Sequence, residues 1–253
     1  IPRFYDATEG SVEIFGRPLA KRARVPVVLH FDHGLTPEKI RRAMDLGFTS
    51  IMYDCSTSSF ESNCREVAAM VRLAHSRGVS VEAELGHVGA NDGSAEGEGA
   101  GDHSIYTEPL EALKFAQATG VDALAVAIGT AHGAYKSKPK LDFGRLKEIA
   151  ELVSTPLVLH GGSGLSDDDF RQAVAGGIAK DNNFTDINMA SAKTAHDAYI
   201  EGAGMTDLMP DITEAVKQAT LKKMRVFGSP GHGQAYQEYV VNAVVRRVME
   251  AMG

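Results

Sequence analysis

Two apolar segments of one design constrain this chain most: PVVLHFDHG at 26–34 and PLVLHGGSG at 156–164. In the first, Val27, Val28, Leu29 and Phe31 form a nearly continuous apolar run, the pattern of a strand buried on both faces. His30, Asp32, His33 and Gly34 then crowd its C-terminal end. In parallel α/β sheets ligands bind at that end, so polar residues gathered there mark a candidate site.

The rest of the chain repeats the unit of short strand and longer helix. Strands are expected at 26–31, 50–55, 79–85, 122–128, 156–160 and, more weakly, 178–184. Thr36-Pro37 opens a helix that Gly47 stops, and Ser59 caps one that Gly78 ends. Glu108-Pro109 starts another, 143–153 is a fourth, and Ser166 with Asp169 forms a capping box for 167–175. Val12 to Arg24 reads as a helix with Pro18 as a difficulty in its interior. Three helical stretches close the chain near 188–203, 211–224 and 232–251. The last carries an apolar stripe, including Tyr239, Val240 and Val244, suited to packing on the parent fold or to assembly.

Such alternation predicts an α/β fold, and no linker divides residues 1–253 into separate domains. Six strands suffice for a doubly wound open sheet, whereas a closed (β/α)8 barrel requires two more. Residues 86–107 hold six glycines and few apolar anchors, which marks a functional loop or a disordered one.

Composition narrows the partners. A formal net charge of −7 argues against nucleic acid or an anionic membrane surface. No apolar run approaches the ~18 residues of a transmembrane span, and the start lacks a signal-peptide pattern. Cys55 and Cys64 are too few for a disulfide framework and suit reduced thiols in the cytoplasm.

Four histidines, His30, His33, His132 and His160, lie at or just past strand ends. Imidazoles converging there could hold a divalent ion, or be scattered hydrogen-bonded residues; spacing alone leaves both open. Asp32, Asp54 and Glu84 accompany them, fit for metal coordination, proton transfer or ion pairing. Glu82, sharing a face with Glu84, reads by itself as the partner of a cation at the rim. The turn Gly161-Gly162-Ser163-Gly164 offers backbone N–H groups and a hydroxyl to an anion, with Thr185 a weaker counterpart and Gly129, Gly133 and Lys136 a third wall. A metal site, a carboxyl group and a phosphate cradle suit carbon–carbon cleavage of a ketose phosphate. Lys180 is the nearest Schiff-base candidate, but Asp181 beside it favours the protonated amine.

The chain resembles the class II, metal-dependent fructose-bisphosphate and tagatose-bisphosphate aldolases. The resemblance runs through LHFDHG (29–34), MYDCS (52–56), VSVEAELGHVG (79–89), YTEP (106–109), DALAVAIGTAHGAYK (122–136), PKLDF (139–143), LVLHGGSG (157–164) and IAKDNNFTD (178–186). It implies a (β/α)8 TIM barrel that binds Zn2+ through His33, His132 and His160. Asp54 and Glu84 match acidic positions linked in the family to a second divalent or monovalent cation. Asp32 would give a proton to the C4 oxygen in cleavage and act as base in condensation. Dihydroxyacetone phosphate would be held by Gly133, Gly161, Gly162, Ser163, Asn182, Thr185 and Asp186, with Lys136 nearby. Glu96 and Glu98 are candidates for a second acid–base group in the 86–107 loop. The family also implies a homodimer or homotetramer.

Three departures stand out. Cys55 in YDCS replaces a glycine, and Asp181 in KDN replaces an apolar residue whose site would disfavour a carboxylate. The family has about fifty further N-terminal residues carrying the first two strands of the barrel, so the chain, which opens on Ile1, is expected to be an N-terminally incomplete barrel. The expected reaction is reversible cleavage of fructose 1,6-bisphosphate to dihydroxyacetone phosphate and glyceraldehyde 3-phosphate. Tagatose 1,6-bisphosphate, another phosphorylated ketose and a non-catalytic barrel-like assembly subunit are the alternatives. Metal content separates the last of these from the enzymes.

Overall fold

The computed structural model describes residues 27–86, 106–130 and 139–233, together with Val25 and the pairs 13–14 and 17–18. Six short strands form one parallel sheet: β1 (His30–Gly34), β2 (Ser50–Tyr53), β3 (Ser80–Leu85), β4 (Ala123–Val126), β5 (Leu157–Leu159) and β6 (Ile178–Asp181). Each strand pairs with the next in sequence. The connections run through α1 (Pro37–Asp45), α2 (Phe60–Ser76), α3 (Pro109–Thr119), α4 (Phe143–Leu152) and α5 (Asp167–Ala175). Two further helices follow, α6 (Thr185–Ala198) and α7 (Met205–Val226).

Local chemistry sets the helix starts. Thr36 accepts from the Lys39 N–H and Pro37 occupies the first turn of α1. Ser59 accepts from the Ser62 N–H at the start of α2. Ser166 and Asp169 form the expected capping box at α5. Each such cap satisfies an N–H that the helix leaves open and contributes about 1 kcal/mol.

Side-chain alternation along the strands separates two faces. Ile51, Val81, Ala83, Leu124, Val126, Leu157 and Leu159 bury against Ile40, Val67, Met70, Phe115, Leu146, Ile149 and Phe170. This layer between sheet and helices is the core. On β3 the alternation puts Glu82 and Glu84 on the opposite face, and both are buried there. That inner face carries the polar chemistry.

Strand twist curls the sheet toward closure. Asn182, the residue after β6, donates to both oxygens of Asp32 on β1, at 3.1 and 3.2 Å. The two outermost strands of the sheet therefore meet at their C-terminal ends. Among the described residues the fold is an open barrel of six parallel strands, consistent with part of a (β/α)8 barrel.

Some boundaries differ from the sequence reading. The first strand begins at His30, not Pro26, and Val27, Val28 and Leu29 are half-buried. An apolar run marks burial but cannot supply a second neighbour, and β1 is an edge of the sheet. Within Val12–Arg24, expected as a helix, Glu13–Ile14 pairs antiparallel with Arg17–Pro18; proline has no N–H for a helix interior. α6 begins at Thr185 rather than near 188, and α7 at Met205 rather than 211. The expected helix 232–251 lies almost wholly outside the described residues, as do residues 87–105.

Candidate active site

The site forms where β1, β2, β3, β5 and β6 end. Its geometry starts with an unusual backbone at His33. This residue has φ 45°, the one positive value among described non-glycine residues, and the β1–β2 register shifts between Phe31 and Gly34. A left-handed non-glycine residue costs on the order of 1–3 kcal/mol and persists only where its surroundings hold it. Here the shift breaks strict alternation, so the consecutive residues Asp32 and His33 both reach the site. Gly34 is then required by space: a Cβ would stand 2.6 Å from Ile40 Cγ1 and 2.7 Å from the Met52 carbonyl oxygen.

His33 and His160 face one another. His33 Nδ1 bonds Asp54 Oδ2 at 2.9 Å, and His160 Nε2 bonds Glu82 Oε1 at 2.8 Å. Each carboxylate fixes its ring as an N–H donor on that side. The remaining nitrogens, His33 Nε2 and His160 Nδ1, lie 3.1 Å apart. In neutral rings those atoms would be two opposed lone pairs, an arrangement that calls for a cation or proton between them. The donor set and its supporting carboxylates therefore fit a divalent metal ion.

Three groups of potential ligands have their donor atoms within 4.8 Å of one another: Asp32, His33 and His160; His30, Asp32 and Glu82; and His33, Asp54 and Glu84. Lys180 stands beside the second, its Nζ 2.7 Å from Glu82 Oε2, and a cation already held there weighs against a metal. The first and third share His33. These are candidate metal-binding clusters at one strand-end site.

Electrostatics follow the contacts. The hydrogen bond to Asp54 pushes His33 above the ordinary imidazole value against the opposing effect of burial, and Asp32, Asp54 and Glu84 add to the rise. Burial would raise Asp54, but His33 and two hydrogen bonds from Ser56 hold it well below the carboxylate range. Asp32 is also held low: partial burial is outweighed by His30 and by the charges of His160, His33 and Lys180. Glu82 is buried yet held low by His160, Lys180 and His30.

Lys180 continues the network by donating to Asn182 Oδ1 at 2.6 Å. A lysine can only donate, so the Asn182 oxygen must face it and the Nδ2 must face Asp32. His30 stands beside these groups, with Nδ1 2.8 Å from Ser50 Oγ and Nε2 3.7 Å from both Asp32 and Glu82.

The glycine turn follows β5 directly. Gly161, Gly162 and Ser163 are buried, and Gly161 has φ 68°. Thr185 and Asp186 begin α6 across from it, with the Asp186 N–H donating to Ser163 Oγ at 3.4 Å. Asp186 also pairs with Lys223 of α7 at 2.6 Å.

Asp32, His33, Asp54, Glu84, His160 and Asn182 are thus gathered at the strand ends, with Gly161, Gly162, Ser163, Thr185 and Asp186 alongside. His132, Gly133, Lys136, Glu96 and Glu98 lie outside the described residues. Glu82 is the residue that sequence reasoning undervalued. Its partner is a cation, as expected, but the pair is buried and Glu82 also orients His160. The available signal was the pair of acidic residues two apart in a strand whose other face is apolar.

Comparison with known proteins agrees with this geometry. Residues 3–232 match the family model described as fructose-bisphosphate aldolase class-II. The fructose-bisphosphate aldolase of Geobacillus stearothermophilus is 41% identical over 210 residues, 82% of this chain and 72% of that protein. That of Staphylococcus epidermidis RP62A is 41% identical over 208 residues, 81% of this chain and 71% of that protein. The X-ray structure of the YdjI aldolase from Escherichia coli K12 superposes with a TM-score of 0.74 at 39% identity, over 85% of this chain and 74% of that one.

Proposed function

Since the chain belongs to the class II fructose-bisphosphate aldolase family, we propose that it cleaves fructose 1,6-bisphosphate reversibly to dihydroxyacetone phosphate and glyceraldehyde 3-phosphate. The observation that carries this reading is the opposed pair His33 Nε2 and His160 Nδ1, 3.1 Å apart, with Asp32 beside it. His33, His160 and, by the family resemblance, His132 would hold a catalytic zinc ion. Bound there, zinc supplies Lewis-acid polarisation of the substrate's ketone and hydroxyl oxygens.

Asp32 handles the proton at C4. In cleavage the C3–C4 bond breaks and the C4 hydroxyl becomes an aldehyde, so its proton must leave. Asp32 is therefore the base in cleavage and the acid in condensation, the reverse of the direction assigned from the sequence. Its ionised state, favoured by His30, His160, His33 and Lys180, suits a group waiting to accept. Asn182 orients both carboxylate oxygens, and Lys180 orients Asn182.

Gly161, Gly162, Ser163, Thr185 and Asp186 would surround the dihydroxyacetone phosphate end, with Gly133 and Lys136 completing the wall. Asp54 and Glu84, grouped with His33, would take a second cation. The family resemblance leaves a second reading, another phosphorylated ketose handled by the same site. Tagatose 1,6-bisphosphate belongs to that set. Two unpaired cysteines suit a cytoplasmic enzyme, no described helix is long and apolar enough to cross a membrane, and the family resemblance suggests a homodimer or homotetramer.

Parallel kinetics on fructose 1,6-bisphosphate, tagatose 1,6-bisphosphate and ketose monophosphates test the reading. Highest kcat/KM on fructose 1,6-bisphosphate supports it. Turnover of another ketose alone moves the substrate, and no cleavage of any of them by zinc-loaded protein leaves the non-catalytic role.

A further inference from the structure

We propose that Asp181 sets the anion affinity of the Gly161–Ser163 turn: its buried carboxylate stands behind the turn, so a bound phosphate group and a proton on Asp181 favour one another. This rests on the reading of that turn as the phosphate end of the substrate site.

The carboxylate is packed directly against the turn. A Cβ at Gly162 would lie 2.5 Å from Asp181 Oδ1 and 2.9 Å from Phe170 Cε1. Both Asp181 oxygens are buried with no hydrogen bond of good geometry among the described residues, although the neighbouring Asn183 side chain acts against the rise in its pKa. Lys180, the preceding residue, is turned to Glu82 and Asn182.

Among the described residues no cation is dedicated to Asp181. From α7, Lys223 lies 2.6 Å from Asp186 of α6 and 4.3 Å over the Phe170 ring of α5. From the end of β5, His160 is held by Glu82. His232, beyond α7, lines the same cavity as Asp181. The two lysines near Asp181 thus each have a carboxylate of their own at 2.6 or 2.7 Å. Burial pushes Asp181 up to about 6, against the opposing charges of Lys223, His160 and Lys180.

A phosphate in the turn adds a like charge close to this group and makes its ionised form less favourable still. Linkage requires the converse: ionising Asp181 weakens the anion site by the same factor. An Ile or Asn at this position would remove the effect while leaving Gly162, Ser163 and Asp186 in place. Asp181 is in this sense an affinity-setting residue that does not touch the substrate.

Inorganic sulfate is a suitable probe, because it carries no proton that titrates near neutrality. Its binding to the zinc-loaded full chain is measured by calorimetry at pH 5.5 and 8 (roughly either side of the Asp181 transition), in two buffers of different ionisation enthalpy. Wild type should lose about tenfold in affinity across that interval, one unit of coupled shift being tenfold, and should take up a fraction of a proton on binding at pH 5.5 that the variants do not. Asp181→Asn and Asp181→Ile should bind about tenfold more tightly than wild type at the higher pH, with the loss across the interval removed. Two variants guard against a folding defect in either. Equal affinities and equal pH slopes in wild type and both variants overturn the proposal. Sulfate binding unaffected by Ser163→Ala instead shows that the turn is not the anion site, which overturns the underlying reading and this proposal with it.

Discussion

Asn182 donates from one amide nitrogen to both oxygens of Asp32, across 150 residues of sequence. This contact closes the open edge of the sheet at the point where proton transfer is proposed. It joins the first strand of the described sheet to the end of the last, so one side chain serves both curvature and chemistry. Asn182→Ala should leave metal bound and lower kcat about 100-fold, the scale of a misplaced general base. Steady-state kinetics with metal analysis check this; unchanged kcat would remove Asn182 from the orientation of Asp32.

Glu82 supports His160 from beneath. Glu82→Gln weakens that support and leaves Lys180 without its buried counter-charge. Metal affinity should fall about 10–100-fold, and thermal stability should fall with it. Competition against a chelator and a melting curve measure the two effects separately. A stable variant with wild-type metal affinity would contradict the assignment.

Much of this arrangement is legible in the residues themselves. Thr36, Ser59 and the Ser166–Asp169 pair mark helix starts that the fold keeps, because a cap depends only on neighbours in sequence. Asp32, His33 and His160 were visible as polarity at the ends of apolar strands. Other features depend on neighbours that a sequence pattern does not contain. The apolar residues 27–29 do not reveal that β1 lies at an edge, and Glu82 does not reveal that His160 lies opposite. The left-handed backbone at His33 had no signal either, since histidine carries no mark of its φ.

Gly34 ties the core to the metal ligand beside it. Gly34→Ala would press a methyl group on Ile40 and on the Met52 carbonyl. Overpacking of this kind costs about 1–3 kcal/mol. The strain should also displace His33 and reduce metal retention. Denaturant unfolding together with metal titration tests both; a variant as stable as wild type with full metal content would refute it.

Asp181 makes stability depend on pH. Its folded value of about 6 lies above the ordinary 3.8, so the native state binds more protons than the unfolded state between those values. The contribution is most favourable below about pH 4 and is lost as pH rises through 6, amounting to about 2–3 kcal/mol. Asp181→Ile should therefore gain on wild type by about that much between pH 4 and 7. Urea unfolding at the two pH values measures the gain. Parallel pH–stability curves for the two proteins would show that Asp181 is not the group responsible.

The most direct measurement is cleavage of fructose 1,6-bisphosphate before and after exhaustive chelation, followed by return of zinc, with His160→Ala alongside. The geometry of His33 and His160 predicts that activity disappears with the metal and returns with zinc in wild type, while the variant retains neither metal nor activity. Undiminished turnover after complete metal removal would contradict the metal-dependent mechanism.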